Sequence, residues 1–316
     1  MSPKKTEAKR PTQRSEMSKL QWTWKEMKRN WVAYLMIAPF CLIFTLFTMA
    51  PVVVSIFMSF TDFNMIQIPN FLFLDNYIRL FLDDDLFLTA IKNTFIFAVI
   101  VGPASYLMSL MVAWFINELD PRIRAIVTLI FYAPSIAGNA YSIFSIIFRG
   151  DAYGYLNSIC LNLGIIDAPM LWLTDPRYIM PVLIFVILWM SMGTGFLSFV
   201  AGFQGIDKSM YEAGYVDGVR NRWQELYHIT LPSMKPMLLF GAVMSITSAF
   251  NVCDVPRALA GYPSTDYAAR TIVTHLFDYG FSRFEMGYAS AIATVLFLVM
   301  ILCTKFISAA LEKVGT

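Results

Sequence analysis

Six stretches of this sequence contain no Asp, Glu, Lys or Arg and are long and apolar enough to cross a bilayer: 30–61, 93–117, 125–148, 178–206, 236–253 and 286–304. About 20 apolar residues in a helix span the hydrocarbon layer. A chain in hydrocarbon must also satisfy its own backbone hydrogen bonds, so each run is expected as a helix. The expected fold class is therefore an all-α polytopic membrane protein with six transmembrane helices. The last two runs are the shortest, but long charged side chains at their flanks can snorkel to the interface. Pro39, Pro51, Pro103, Pro134 and Pro181 fall inside the runs, which neighbouring helices tolerate. The first run far exceeds the roughly 7–15 apolar residues of a cleavable signal peptide, so it is read as a span. Composition agrees, with 57% hydrophobic and 15% charged residues, where a soluble domain has about 25% charged.

With six spans both termini share a side. Segments on that side hold 17 Lys and Arg, against 7 on the other. The positive-inside rule then places both termini in the cytoplasm and the Asp83-Asp84-Asp85 run outside. The expected organisation is a basic cytoplasmic tail over 1–29, a six-helix domain over 30–310 and a short cytoplasmic end over 311–316. Residues 17–30 of the tail, with Trp22 and Trp24, read either as an interfacial helix or as a solvated basic tail. Cys41, Cys160, Cys253 and Cys303 form no CxxC and no metal spacing, so they are read as small hydrophobes. A GxxxxGK[ST] phosphate loop, HExxH and GxSxG do not occur, so no enzyme activity, metal site or nucleotide cofactor is expected of this chain. The runs contain no ionisable Asp, Glu, Lys or Arg, which argues against an ion-coupled secondary transporter.

The segment between the fourth and fifth runs, 207–235, is the most informative. Ser209 followed by Glu212 reads as a capping box that starts a short helix. Gly218 is placed to end that helix in a left-handed conformation. Thr230 and Pro232 suit the first turn of the next helix. A long, structured loop of this kind is either a tidy connector or a docking element for a partner.

The pattern Glu212-Ala213, then Gly218, then Ile229-x-Leu231-Pro232 resembles the signature loop of ABC-importer permeases. The run Asn221–Pro236, together with Ala38-Pro39, Pro51, Ser59-Phe60-Thr61-Asp62, Asn93-Thr94, Tyr132-Ala-Pro134 and Trp189…Gly193, looks like the carbohydrate branch, similar to the maltose and glycerol-phosphate type. The resemblance covers roughly 31–310. There are two departures: Gly214 stands where the pattern has a second Ala, which softens a helix by about 1 kcal/mol, and the spacing from Gly218 to Leu231-Pro232 is one residue longer.

The resemblance implies a type I ABC importer permease fold in a bacterial or archaeal plasma membrane. It implies that 207–220 is a coupling helix seated on a cytoplasmic ATPase that binds ATP and Mg, with Ser209, Tyr211, Glu212, Ala213, Gly214, Tyr215, Asp217, Gly218, Leu231 and Pro232 forming the docking region. Glu212 would reach a basic residue of the ATPase, and Tyr211 and Tyr215 would offer apolar contact. The implied partners are a second permease subunit, expected to be a different chain, two ATPase subunits, an extracytoplasmic solute-binding protein, the lipid bilayer and a sugar, but no nucleic acid. A sugar needs hydrogen-bonding groups and an aromatic platform. Asn139, Tyr141, Trp189, Ser248 and Asn251 are the residues of that kind at membrane depth, and each has packing or interhelical hydrogen bonding as its alternative. The outer segments suit a binding protein, with Trp172 and Tyr262 as candidate contacts. The competing functions are a permease of the same superfamily for peptides or amino acids, and a secondary transporter.

Overall fold

The computed structural model describes residues 19–312. Two compact units divide near Ser55. The first contains helix α1 (Lys19–Arg29) and most of α2 (Trp31–Met58), which is long and apolar enough to span a membrane. Inside α2 the amide of Ala50 reaches back five residues to Thr45, one position before Pro51. Proline has no N–H to donate, and a wide i→i+5 turn accommodates the resulting fault in the ladder.

The second unit is built around α3 (Asp85–Asn117), α4 (Pro121–Ile136), α5 (Ser142–Ile147), α6 (Pro176–Trp189), α7 (Thr194–Gln204), α8 (Lys208–Val216), α9 (Lys235–Phe250) and α10 (Met286–Glu312). Helices α3, α7 and α9 pack on one another, and α10 lies against α9. At their seam Gly195 approaches Gly241, where an added Cβ would stand 3.6 Å from the Gly241 Cα. Small residues permit such close backbones in lipid, where packing rather than hydrophobic exclusion drives helix association. Phe196, Phe199, Phe203, Leu110 and Met234 fill the core beside it. Apolar side chains on the outer faces, such as Phe306 at 77% exposed, face outward, as expected of helices solvated by lipid tails.

Among the described residues, five segments are helical, apolar and long enough to cross a membrane: Trp31–Met58, Asp85–Asn117, Pro176–Gln204, Lys235–Leu259 and Met286–Ala310. The expected third run, 125–148, is not one continuous helix. It divides into α4 and α5 around turns at 137–141, where Gly138 and Asn139 favour turns over helix. The second run begins at Asp85 rather than 93, because Lys92 lies exposed on the helix surface. The fourth run breaks between Trp189 and Thr194, across Gly193 at φ −97°, ψ −142°.

At the end of α3 remote from the 207–235 segment, Asp83 and Asp85 of the acidic run are exposed, but the residue between them is not. Asp84 is buried and caps α3 by accepting from the Phe87 amide at 3.0 Å. Its other oxygen accepts from the Tyr288 hydroxyl at 2.8 Å and meets His275 Nε2 at 3.0 Å. Arg270 Nε donates to His275 Nδ1 at 2.8 Å, so His275 keeps its proton on Nε2. Arg270 also pairs with Asp278 at 2.7 Å. Burial pushes the His275 pKa down to about 4; Asp84 opposes the shift and Arg270 adds to it. Asn93 donates to the Arg270 carbonyl at 2.9 Å, and Thr94 accepts from the Ile272 amide. These contacts clamp the 254–285 segment to the start of α3.

Candidate functional site

The 207–235 segment folds as two short helices on the other end of α3. Asp207, not Ser209, is the cap of α8. Its carboxylate accepts from the Ser209 amide at 3.0 Å, which also lowers the Asp207 pKa. The capping-box reading is thereby corrected. An Asp two residues upstream competes for the same N-terminal amides, and Ser209 becomes a residue of the first turn. Glu212, relieved of capping, is exposed and makes no hydrogen bond or ion pair among the described residues. The C-terminus closes as a Schellman motif. Val219 N donates to Gly214 O at 2.9 Å and Gly218 N to Tyr215 O at 3.3 Å, with Gly218 at φ +92°. Asp217 is the exposed residue between helix and turn.

Gly214 is buried, and a Cβ there would collide with the Ile229 Cδ1. The departure from Ala is therefore a packing feature: the glycine lets α8 sit against the chain that returns to the membrane. That return begins earlier than expected. Asn221 accepts from the Gln224 amide at 2.8 Å and starts a helix at Arg222, so Thr230 is inside the return rather than at its start. The helix passes through a wide turn, Leu226–Thr230, in which Leu231 N reaches Leu226 O, and Pro232 follows at once. This repeats the arrangement before Pro51 and has the same cause. Leu231 is half-buried and Pro232 exposed.

The segment is fastened to the base of α3. Arg222 pairs with Glu118 at 2.6 Å and Glu225 at 3.1 Å. The rings of Trp114 and Trp223 lie 4.9 Å apart. Tyr211 turns inward, its hydroxyl 3.2 Å from Thr230 Oγ1, rather than outward as an apolar contact. Tyr215 stays exposed, 3.4 Å from Glu225. Met210, Ala213 and Val216 join Glu212 on the exposed surface, Val216 at 87%. Beneath α8 is a polar cavity of about 530 Å³, bordered by Glu118, Arg124, Lys208, Glu212 and Arg222.

A second cavity, about 350 Å³, lies between α3, α4, α7 and α9 beside the break in the fourth run. Its walls carry the hydroxyls of Ser105, Ser109, Tyr132, Ser135, Ser191, Thr194, Ser245 and Ser248. Of the five residues expected to line a pathway, only Ser248 is here. Asn139 and Tyr141 bond to each other at 3.0 Å in the turn between α4 and α5. Trp189 stacks edge-on against Phe144 at 5.1 Å, and Asn251 is exposed at the end of α9. Some of the missed residues had a sequence signal: Ser105 and Ser109 are four apart and Ser245 and Ser248 three, which puts each pair on one helix face, whereas Ser191 and Thr194 lie at the break in the fourth run. Trp172 donates to Asn157 at 2.8 Å, and Tyr262 to the Thr274 carbonyl at 3.3 Å.

The profile of a family described as "Binding-protein-dependent transport system inner membrane component" matches residues 105–314. The chain is 33% identical to the probable ABC transporter permease protein YesP of Bacillus subtilis (strain 168), over 88% of this chain and 89% of the relative. It is 30% identical to the arabinooligosaccharides transport system permease protein AraP of the same organism, over 92% and 91%. A solved bacterial alginate ABC transporter, in complex with an alginate pentasaccharide-bound periplasmic protein, contains a similar chain with TM-score 0.71 and 26% identity, covering 93% of this chain and 99% of that one. With these likenesses and its long apolar helices, the chain is a multi-pass membrane protein belonging to the binding-protein-dependent transport system inner membrane components, the permeases of ABC transporters.

Proposed function

We propose that this chain forms half of the translocation pathway of an ATP-driven importer for an oligosaccharide, and that α8 is the helix through which a cytoplasmic ATPase drives it. The observation that carries the reading is the 207–235 segment. It presents Glu212 unpaired on an exposed surface while Arg222 and Trp223 bind the segment to α3. A docking element needs both properties, an open face for a partner and a stiff joint to the part that moves. The names of AraP and of the alginate transporter support a saccharide as cargo.

The hydroxyl-lined cleft is the proposed share of the pathway. Its serine, threonine and tyrosine groups can exchange hydrogen bonds with sugar hydroxyls, and none carries a charge to trap a neutral solute. A second permease subunit would supply the facing wall, a soluble binding protein would deliver the sugar at the 254–285 end, and two ATPase subunits would bind ATP and Mg below. In this arrangement six segments cross the membrane, with α4 and α5 together making the third crossing, and both termini are cytoplasmic.

A mild-detergent pull-down of the tagged chain tests the docking. The wild type is expected to bring down an ATPase subunit and a second permease. Glu212→Ala and Gly218→Pro are expected to lose the ATPase and retain the permease. Equal ATPase recovery from all three proteins would remove α8 from the docking site.

A further inference from the structure

Helix α1 is not used by any part of the transport reading, and its chemistry points elsewhere. It has Lys19, Lys25, Lys28 and Arg29 against a single acid, Glu26, a net charge of +3 over eleven residues. Trp24 and Met27, spaced i and i+3, share one face of α1, and Trp31 follows just across the break at Asn30 as the first residue of α2. All three are exposed, at 60%, 41% and 62%. Lys25 and Arg29, one turn apart, lie on the opposite side, also exposed. The helix is joined to α2 by Asn30 alone, which leaves the helical conformation at φ −105°, ψ 27°. Trp31 is the first residue of the apolar span, so the carboxyl end of α1 is tied directly to a helix long enough to cross a membrane.

We propose that α1 is a binding element for anionic lipid headgroups, with Trp24, Met27 and Trp31 embedded at the boundary and Lys25, Lys28 and Arg29 facing the lipid charges. Two indole rings at that level suit the headgroup region, where an apolar body and a polar N–H are both satisfied. Basic residues beside a span are attracted by negatively charged lipid, each strengthening binding about fivefold near the surface. Trp24, Met27 and Trp31 supply the apolar contact and the basic side supplies the selectivity. This combination is that of an interfacial helix rather than of a solvated tail.

The full chain with its partner subunits, in nanodiscs of zwitterionic phosphatidylcholine or of phosphatidylcholine with phosphatidylglycerol, provides the test. Backbone hydrogen exchange of residues 19–29 is read by mass spectrometry. Exchange is expected to be at least about tenfold slower with the anionic lipid, given about fivefold per charge. The difference should fade with salt, since the screening length drops from about 10 Å at 0.1 M to about 3 Å at 1 M. The triple substitution Lys25→Gln, Lys28→Gln, Arg29→Gln should erase the lipid dependence. Trp24→Ser with Met27→Ser should speed exchange in both lipids while the charges remain. Equal protection of wild-type 19–29 in the two lipids would overturn the proposal, as would full lipid dependence in the triple variant. Transport and ATPase recovery report on the importer reading separately.

Discussion

At Gly214 two effects oppose each other, and their balance can be measured. Alanine would gain about 1 kcal/mol of helix propensity. It would also drive its Cβ into the Ile229 Cδ1, and turning that side chain off its rotamer costs about 0.5–1.5 kcal/mol. Gly214→Ala alone is therefore expected to leave thermal stability within about 1 kcal/mol of the wild type. In an Ile229→Val background the obstructing methyl is gone, and the same substitution should stabilise by about 1 kcal/mol. A double-mutant cycle by thermal unfolding in detergent checks this; additive effects would mean that the two residues do not touch. The sequence showed Gly214 as a departure from a pattern but not its cause, because the cause is Ile229, fifteen residues on. Asp207 displaced Ser209 for a similar reason: both are good caps, and only the backbone geometry (Asp207 at φ −66°, ψ 129°) decides between them.

Among the elements, the long apolar runs were the most legible, because hydrocarbon leaves an unbroken charge-free run few choices besides helix. Their interruptions were not. The breaks at 137–141 and 190–193 fall in the middle of charge-free sequence, and periodicity does not distinguish a broken span from a whole one. The hydroxyl cleft opens beside the second of these breaks, and of the polar and aromatic candidates chosen at membrane depth only Ser248 lines it. The joint between α8 and α3 was also invisible, since Glu118 and Arg222 are 104 residues apart. Both side chains are half exposed, so Glu118→Gln should change stability by no more than about 1 kcal/mol. Its larger effect is expected on coupling. Substrate-stimulated ATP hydrolysis by the reconstituted complex should fall while basal hydrolysis persists, and an unchanged ratio would assign the pair to packing alone.

For the molecule as a whole, the buried cluster around Asp84 predicts an acid limit on stability. His275 titrates near 4 when folded and near its ordinary value of about 6.5 when unfolded. Above pH 6.5 both states are neutral and this residue contributes no slope. As pH falls from 6.5 towards 4, the unfolded chain binds a proton that the folded chain refuses, and stability drops by an amount on the order of 3 kcal/mol. Unfolding temperature measured across pH 4–7 should show this decline, and His275→Gln should flatten it. A wild-type profile flat over that range would mean that His275 is protonated without penalty. The cluster was illegible in the sequence, where nothing sets the middle one of three consecutive aspartates apart from its neighbours. Burial of the middle one depends on Tyr288 and His275, about 200 residues away.

Both ends of α3 are thus bolted: Asp84, Asn93 and Thr94 hold one to the 254–285 segment, and Trp114 and the Glu118 carboxylate hold the other to the 207–235 segment. The fourth run is jointed midway and the third is in two pieces, whereas α3 runs unbroken for 33 residues, about 50 Å at 1.5 Å per residue. On the proposed docking, a displacement delivered at α8 would be passed to a single continuous helix that carries Ser105 and Ser109 of the cleft wall on its way to the far loop.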